Sequence, residues 1–184
     1  MNNSDFPITP ESFWAKLSKS LRESWSPEVD AFWFTDKKKR TAFVKDAIER
    51  LAPEFKCCCT NEYWPKVDVS FFDRQGNEWD KWAMEAGIEV ENKDSWRDEV
   101  CKLMVINAGI KVVVAYVDGM DPLVSFWNDL PGIYKSRKYL TQPCNWLFVF
   151  GIYGGPGWDF KAYKFDGERQ TEITGKDRTR PFVV

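Results

Sequence analysis

Residues 88 to 93 read Ile88-Glu89-Val90-Glu91-Asn92-Lys93, and twenty residues earlier stands Val67-Asp68-Val69. Acids set between β-branched apolar residues constrain a chain strongly. In a strand successive side chains alternate between faces, so Ile88 and Val90 turn into a core while Glu89, Glu91 and, at the strand end, Lys93 share the other face. Carboxylates two residues apart on a strand lie roughly 6.6 Å apart, and a cross-strand neighbour such as Asp68 comes within about 5 Å. Like charges at ~4 Å repel by about 1 kcal/mol in water and about 4 kcal/mol near a protein surface. The cluster therefore needs a compensating cation, either a lysine or a divalent metal. Oxygen donors completed by waters suit Mg²⁺ or Mn²⁺ better than Zn²⁺.

The 184 residues, 43% hydrophobic, suit a single domain over 1–184, since a chain of this length buries roughly 70% of its unfolded surface. Ten tryptophans read as rings of a large aromatic core rather than a base-stacking surface. The net charge of −2 gives no global basic field for a polyanion. The basic clusters Lys37-Lys38-Lys39-Arg40 and Lys135, Arg137, Lys138 read as solvated faces. There is no histidine, which removes His-based acid–base chemistry, Ser-His-Asp and Cys-His nucleophiles and Cys₂His₂ zinc sites together. Five cysteines, three of them Cys57-Cys58-Cys59, with Cys101 and Cys144 apart, show no paired spacing and read as reduced core thiols. Neither a leader pattern at Met1-Asn2-Asn3-Ser4-Asp5 nor an apolar run long enough to span a bilayer is seen, so the expected setting is cytoplasmic, with no membrane partner.

Periodicity sets the organisation. The part from about 9 to 53 is expected to be helical: Phe13, Trp14, Leu17, Leu21 and Trp25 recur at helical intervals behind Thr9-Pro10, and Ala42, Phe43, Ala47, Ile48 and Leu51 mark a second helix over about 36 to 51, ended by Pro53. Val67 to Phe72 alternates as a strand, Asp73-Arg74-Gln75-Gly76-Asn77 is a turn, and Trp79 to Glu91 supplies one or two further strands. Ser95 and Asp98 frame a capping box, and Val100, Leu103, Met104 and Ala108 carry a helix towards Gly109. Lys111 to Val117 then reads as a buried strand. A helix near 122 to 139, a strand over Trp146 to Tyr153, a Gly154-Gly155-Pro156-Gly157 turn and a strand over Trp158 to Phe165 follow, with a polar tail from 166 to 184. The fold class is α/β: one central mixed sheet flanked by helices, its core over about 66–165 in the order β-β-β-α-β. The glycine turn is no phosphate loop, because no Lys-Ser/Thr follows it.

That order, with Asp68 followed by Glu89-Val90-Glu91 or Glu91-Asn92-Lys93, resembles the PD-(D/E)xK nuclease superfamily, the restriction-endonuclease-like fold. The likeness covers about residues 42 to 117. It implies a Mg²⁺- or Mn²⁺-dependent nuclease on DNA, with an Asp and a Glu on successive strands binding the metal and a Lys two residues after the Glu orienting water. Carried onto this chain, Asp68 is the metal-binding Asp, although Val67 replaces the expected proline. Two registers follow. With Glu89 as ligand, Glu91 stands at the lysine position; with Glu91 as ligand, Lys93 does. The first is preferred because Ile88 and Val90 frame it regularly. The resemblance further implies auxiliary residues on the flanking helices, where Glu99, Lys102 and Glu49 are the candidates.

The bland counterpart is an exposed sheet face whose Glu89, Glu91 and Lys93 form cross-strand ion pairs, with Asp68 meeting Lys66, Arg74 or Lys93. Two other functions compete: a catalytically inactive module of the same fold binding protein or nucleic acid, and a small immunity or antitoxin-type protein. DNA is the expected partner of an active enzyme, and a protein partner or a homodimer is the further expectation for the chain.

Overall fold

The structure is a computed structural model, and its described residues are 8–63, 66–73, 83–91, 96–118, 121–136, 145–153 and 158–174. Three helices open the chain. Helix α1 (Pro10–Ser24) starts where the sequence puts it: the Thr9 hydroxyl accepts the Ser12 amide at 3.1 Å, the Ser12 hydroxyl accepts the Thr9 amide at 3.0 Å, and Pro10 fills the first turn, which needs no donor. Helix α2 (Pro27–Trp33) was not expected, since seven residues are too few to show a period. Helix α3 (Lys37–Glu49) is capped by Asp36, whose carboxylate accepts the amides of Lys38 and Lys39. That charge offsets three lysines placed at the unfavourable, positive end of the helix dipole.

The basic run at this helix start divides in two. Lys37 to Lys39 are exposed, as expected, whereas Arg40 is buried, donates to the Trp33 carbonyl at 3.3 Å and stacks 4.4 Å from the centroid of Tyr116. Its role is packing, with its charge placed over an aromatic face.

Pro53–Phe55 forms a 3₁₀ turn, and the sheet elements follow. They are β1 (Cys58–Tyr63), β2 (Val67–Asp73), β3 (Ala83–Glu91), helix α4 (Trp96–Met104), β4 (Ile110–Asp118), helix α5 (Asp121–Ser136), β5 (Asn145–Tyr153), β6 (Trp158–Phe165) and β7 (Gln170–Glu172). Among the described residues these strands form one seven-stranded sheet in the order β1-β2-β3-β4-β5-β6-β7. β3, β4 and β5 run parallel and the remaining neighbours are antiparallel.

The β-β-β-α-β order holds, with one strand reassigned. The first of the three is the cysteine segment, and the stretch after the turn supplies one strand, Ala83–Glu91. Accordingly Cys57, Cys58 and Cys59 are half-buried free thiols at and just before β1, with Cys57 and Cys59 packed against the core; Cys101, on α4, is half-buried as well. The expected polar tail also contributes, because β7 pairs with β6 through Tyr163–Glu172 and Phe165–Gln170. Gly167 makes that hairpin: its φ is +102°, and a Cβ there would stand 2.7 Å from the Tyr134 ring. Ser95, residues 74–82, Arg137, Lys138, Cys144 and the 154–157 turn lie outside the described residues.

Alternation along the strands builds two cores. Val69, Phe71, Ile88, Val90, Val112, Val114, Leu147 and Val149 face α1–α3. Val113, Ala115, Val117, Phe148, Phe150 and Tyr163 face α4 and α5, where Trp127 meets Phe148, Phe150 and Tyr163 edge-on. Both faces of the parallel strands are thus covered, as such strands require. Lys111 is buried on the second face; it donates to the Met104 carbonyl at 3.4 Å, placing a cation at the carboxyl end of α4. No helix among the described residues is long and apolar enough to cross a membrane.

Candidate functional site

The β2–β3 pairing runs from Asp73–Ala83 to Val69–Ile88, and Asp68 and Glu89 are the residues that follow directly on that last pair. This is the carboxyl end of β3, where ligands bind in open α/β sheets. There a side chain takes over from the backbone ladder: Asp68 Oδ2 accepts the Val90 amide at 2.9 Å. Its other oxygen, Oδ1, accepts from Lys45 Nζ at 2.6 Å. Lys45 comes from α3, on the opposite side of the sheet from α4.

Glu89 projects beneath α4 and is 1% exposed. It is not on an exposed sheet face, because α4 covers it. Its Oε1 accepts from Lys102 Nζ at 2.9 Å, and the same ammonium pairs with Glu99, three residues earlier on the helix. Lys102 Nζ also donates to the carbonyl of Lys66 at 3.2 Å, tying α4 to the turn that leads into β2.

The electrostatics follow from burial. Loss of water pushes the Glu89 carboxyl up to about 8; the nearby charges of Asp68 and Glu99 push the same way, and Lys102 opposes them. Burial alone would lower the Lys102 ammonium, but its hydrogen bonds to Glu99 and Glu89 outweigh that and raise it. The site is therefore a chain of ion pairs, Lys45–Asp68 and Glu89–Lys102–Glu99, drawn from β2, β3, α3 and α4.

Of the residues expected from the sequence, Asp68, Glu89, Glu99 and Lys102 converge here. Glu91 is half-buried, two residues beyond Glu89 on the same strand face, and Lys93 lies outside the described residues. Glu49 is on α3, but its charge acts on the Cys59 thiol, while Lys45, one turn earlier, reaches Asp68. Lys45 is the residue the sequence reading missed. The helical period places Lys45 beside Val44, Ala47 and Ile48, the buried stripe of α3, but gives no sign that it reaches Asp68. Asp68 pairs with Lys45 and not with Lys66, whose contribution is a backbone carbonyl; Arg74 lies outside the described residues.

As a donor set, Asp68 and Glu89 offer hard carboxylate oxygens, and the Asp68 charge is near enough to act on Glu89. Among the described residues no three Asp, Glu, Cys or His side chains come together as a ready-made metal cage. A two-carboxylate arrangement still fits Mg²⁺, which keeps several waters and is commonly held by one or two carboxylates plus substrate phosphates. Compared with known proteins, the chain matches no protein-family model and no curated protein.

Proposed function

We propose that this chain is a divalent-cation-dependent nuclease that hydrolyses DNA phosphodiester bonds at the carboxyl end of β3. The observation that carries the reading is the convergence of Asp68, Glu89, Glu99 and Lys102 at one sheet end, within the β-β-β-α-β order. The resemblance to the PD-(D/E)xK nucleases implies the same order and the same residue types.

In this reading Asp68 and Glu89 hold Mg²⁺ or Mn²⁺. The chemistry supplied there is a lowered pKa for a bound water and charge stabilisation at the phosphoryl oxygens. Lys102 Nζ orients the attacking water and offsets charge that develops in the transition state, as a preorganised donor does. Glu99 positions Lys102, Lys45 positions Asp68, and Glu91 adds a third carboxylate that helps to position the water. The free thiols at Cys57, Cys58, Cys59 and Cys101 support a reducing, cytoplasmic setting.

One observation favours a second reading, a catalytically inactive module of the same fold. Lys45 and Lys102 already compensate Asp68, Glu89 and Glu99 through direct ion pairs, so the cluster is stable without an ion. Plasmid cleavage separates the two. The nuclease reading expects cleavage by the wild type that needs Mg²⁺ or Mn²⁺ and falls roughly a hundredfold or more in Asp68→Ala, Glu89→Gln and Lys102→Met. A wild type inert with both ions, or variants that cut equally well, overturns it.

A further inference from the structure

Among the described residues, two that are not glycine have left-handed backbone, Lys56 at φ 58° and Lys66 at φ 64°. This conformation crowds a Cβ against the following carbonyl, and glycine or asparagine adopts it more readily. At Lys56 the geometry closes the 3₁₀ turn, with the Lys56 amide on the Pro53 carbonyl at 3.0 Å and the Cys57 amide on the Ala52 carbonyl at 2.9 Å. That is a helix-end role, which needs no lysine.

Lys66 occupies a different setting. It stands two residues before Asp68, and its carbonyl accepts from Lys102 Nζ at 3.2 Å, so the left-handed turn helps to aim both. The backbone accounts for the turn but not for the side chain. The Lys66 side chain is exposed and has no carboxylate partner among the described residues, whereas the ammonium groups of Lys45 and Lys102 are both held by acids. A strained residue at the edge of a site, carrying a charge that no acid among the described residues holds, is placed to meet a ligand.

We propose that Lys66 is a substrate-positioning residue that binds a backbone phosphate of duplex DNA beside the Asp68–Glu89 pair. The inference rests on the nuclease reading and deepens it, because it names the part of the substrate that is gripped. One ammonium on one phosphate is a sequence-independent contact, and it confers register on the duplex rather than base preference. Acidic groups dominate the cluster, so a cation on its rim also offsets their repulsion of an approaching phosphate.

The test uses the full chain and the substitutions Lys66→Gly, Lys66→Asn and Lys56→Gly. Binding of a short fluorescent duplex is followed by anisotropy with Ca²⁺ in place of Mg²⁺, between about 50 and 200 mM salt. Melting curves accompany it. Relief of the left-handed strain raises the melting temperature of both glycine variants. Lys66→Gly and Lys66→Asn nonetheless bind roughly threefold or more weakly, and the slope of log affinity against log salt falls by about 0.9, the value of one phosphate contact. In cleavage with Mg²⁺ their KM rises while kcat is kept. Lys56→Gly binds and cleaves as the wild type does. If the wild type binds and cuts DNA but the Lys66 variants match it in affinity and salt slope, the Lys66 assignment fails and the nuclease reading survives. The assignment also fails if Lys56→Gly weakens binding equally, because the effect is then one of net charge. A wild type that neither binds nor cuts overturns both.

Discussion

Lys102 Nζ lies 2.9 Å from Glu89 Oε1, so a helix lysine meets a strand acid that is 1% exposed. Taking one partner from such a pair leaves the other charge buried and unmatched, which makes the pair's energetics unusually readable.

Glu89→Gln is expected to flatten the pH dependence of stability. Burial holds the Glu89 carboxyl at about 8 in the folded protein, against an ordinary value of 4.5. Between those values the folded state keeps a proton that the unfolded chain has lost, so stability falls as pH rises across this window. The amide cannot lose that proton. It keeps an oxygen for Lys102, and above pH 8 the variant gains about 1 kcal/mol or more over the wild type, one pKa unit being worth about 1.4 kcal/mol. Urea unfolding at about pH 5, 7 and 9 measures it, bracketing the window set by the raised carboxyl. A wild-type-to-variant difference that stays constant across the three would remove the basis for a buried, protonatable Glu89.

Asp68 has two separable tasks, and two substitutions divide them. Asp68→Ala leaves the buried Val90 amide without the acceptor it has at 2.9 Å. An orphaned buried donor costs about 1–3 kcal/mol. Asp68→Asn retains an acceptor and costs less, while still removing the charge that pairs with Lys45 and holds the ion. The expected result is faster hydrogen exchange at the Val90 amide in the alanine variant only, with cleavage lost in both. Equal exchange in the two variants would mean that the Val90 bond contributes nothing.

Cys57 and Cys59 should be chemically quiet. Burial raises the Cys57 thiol to about 12, with Glu85, Asp73 and Cys58 adding to it, and raises the Cys59 thiol to about 11, with Glu49 adding. Because the thiolate is the reacting form, both sites are expected to label with iodoacetamide far more slowly at pH 8 than the same residues in the urea-unfolded chain. Mass spectrometry of timed digests would report this, and labelling at the unfolded rate would contradict their burial beside acids.

What was legible in the sequence was whatever repeats locally. The alternation Val67-Asp68-Val69 and Ile88-Glu89-Val90 placed both acids on strands, and the apolar period of Val100, Leu103, Met104 and Ala108 placed Glu99 and Lys102 on a helix. β1 escaped because Cys58-Cys59-Thr60-Asn61-Glu62-Tyr63 is an edge strand with no apolar period, and β7 because three residues suffice to pair along β6. Lys45 escaped for another reason. It lies 23 residues from Asp68, and their meeting depends on how α3 crosses the sheet, a packing fact that no local pattern encodes. The burial of Glu89 was hidden likewise, since alternation tells which face a residue takes but not that α4 covers that face.

Lys102 and a divalent ion should compete for the same carboxylate. In Lys102→Met, Glu89 and Glu99 keep their burial and lose their shared ammonium, so like charges face each other without compensation. Breaking a fully buried pair costs about 3–5 kcal/mol. Lys102 is 28% exposed on its side chain, and water reaching it reduces the expected loss to about 2 kcal/mol at pH 8. The loss shrinks towards pH 5, where the raised Glu89 carboxyl is protonated and no longer needs a cation. Adding Mg²⁺ in excess should then raise the melting temperature of the variant more than that of the wild type, because in the variant the ion replaces a missing charge instead of displacing one already present. Melting curves of both proteins at pH 8, with EDTA and with Mg²⁺, read this directly. A variant as insensitive to Mg²⁺ as the wild type would count against Glu89 as a metal ligand and leave the Glu89–Lys102–Glu99 group as a structural ion-pair network.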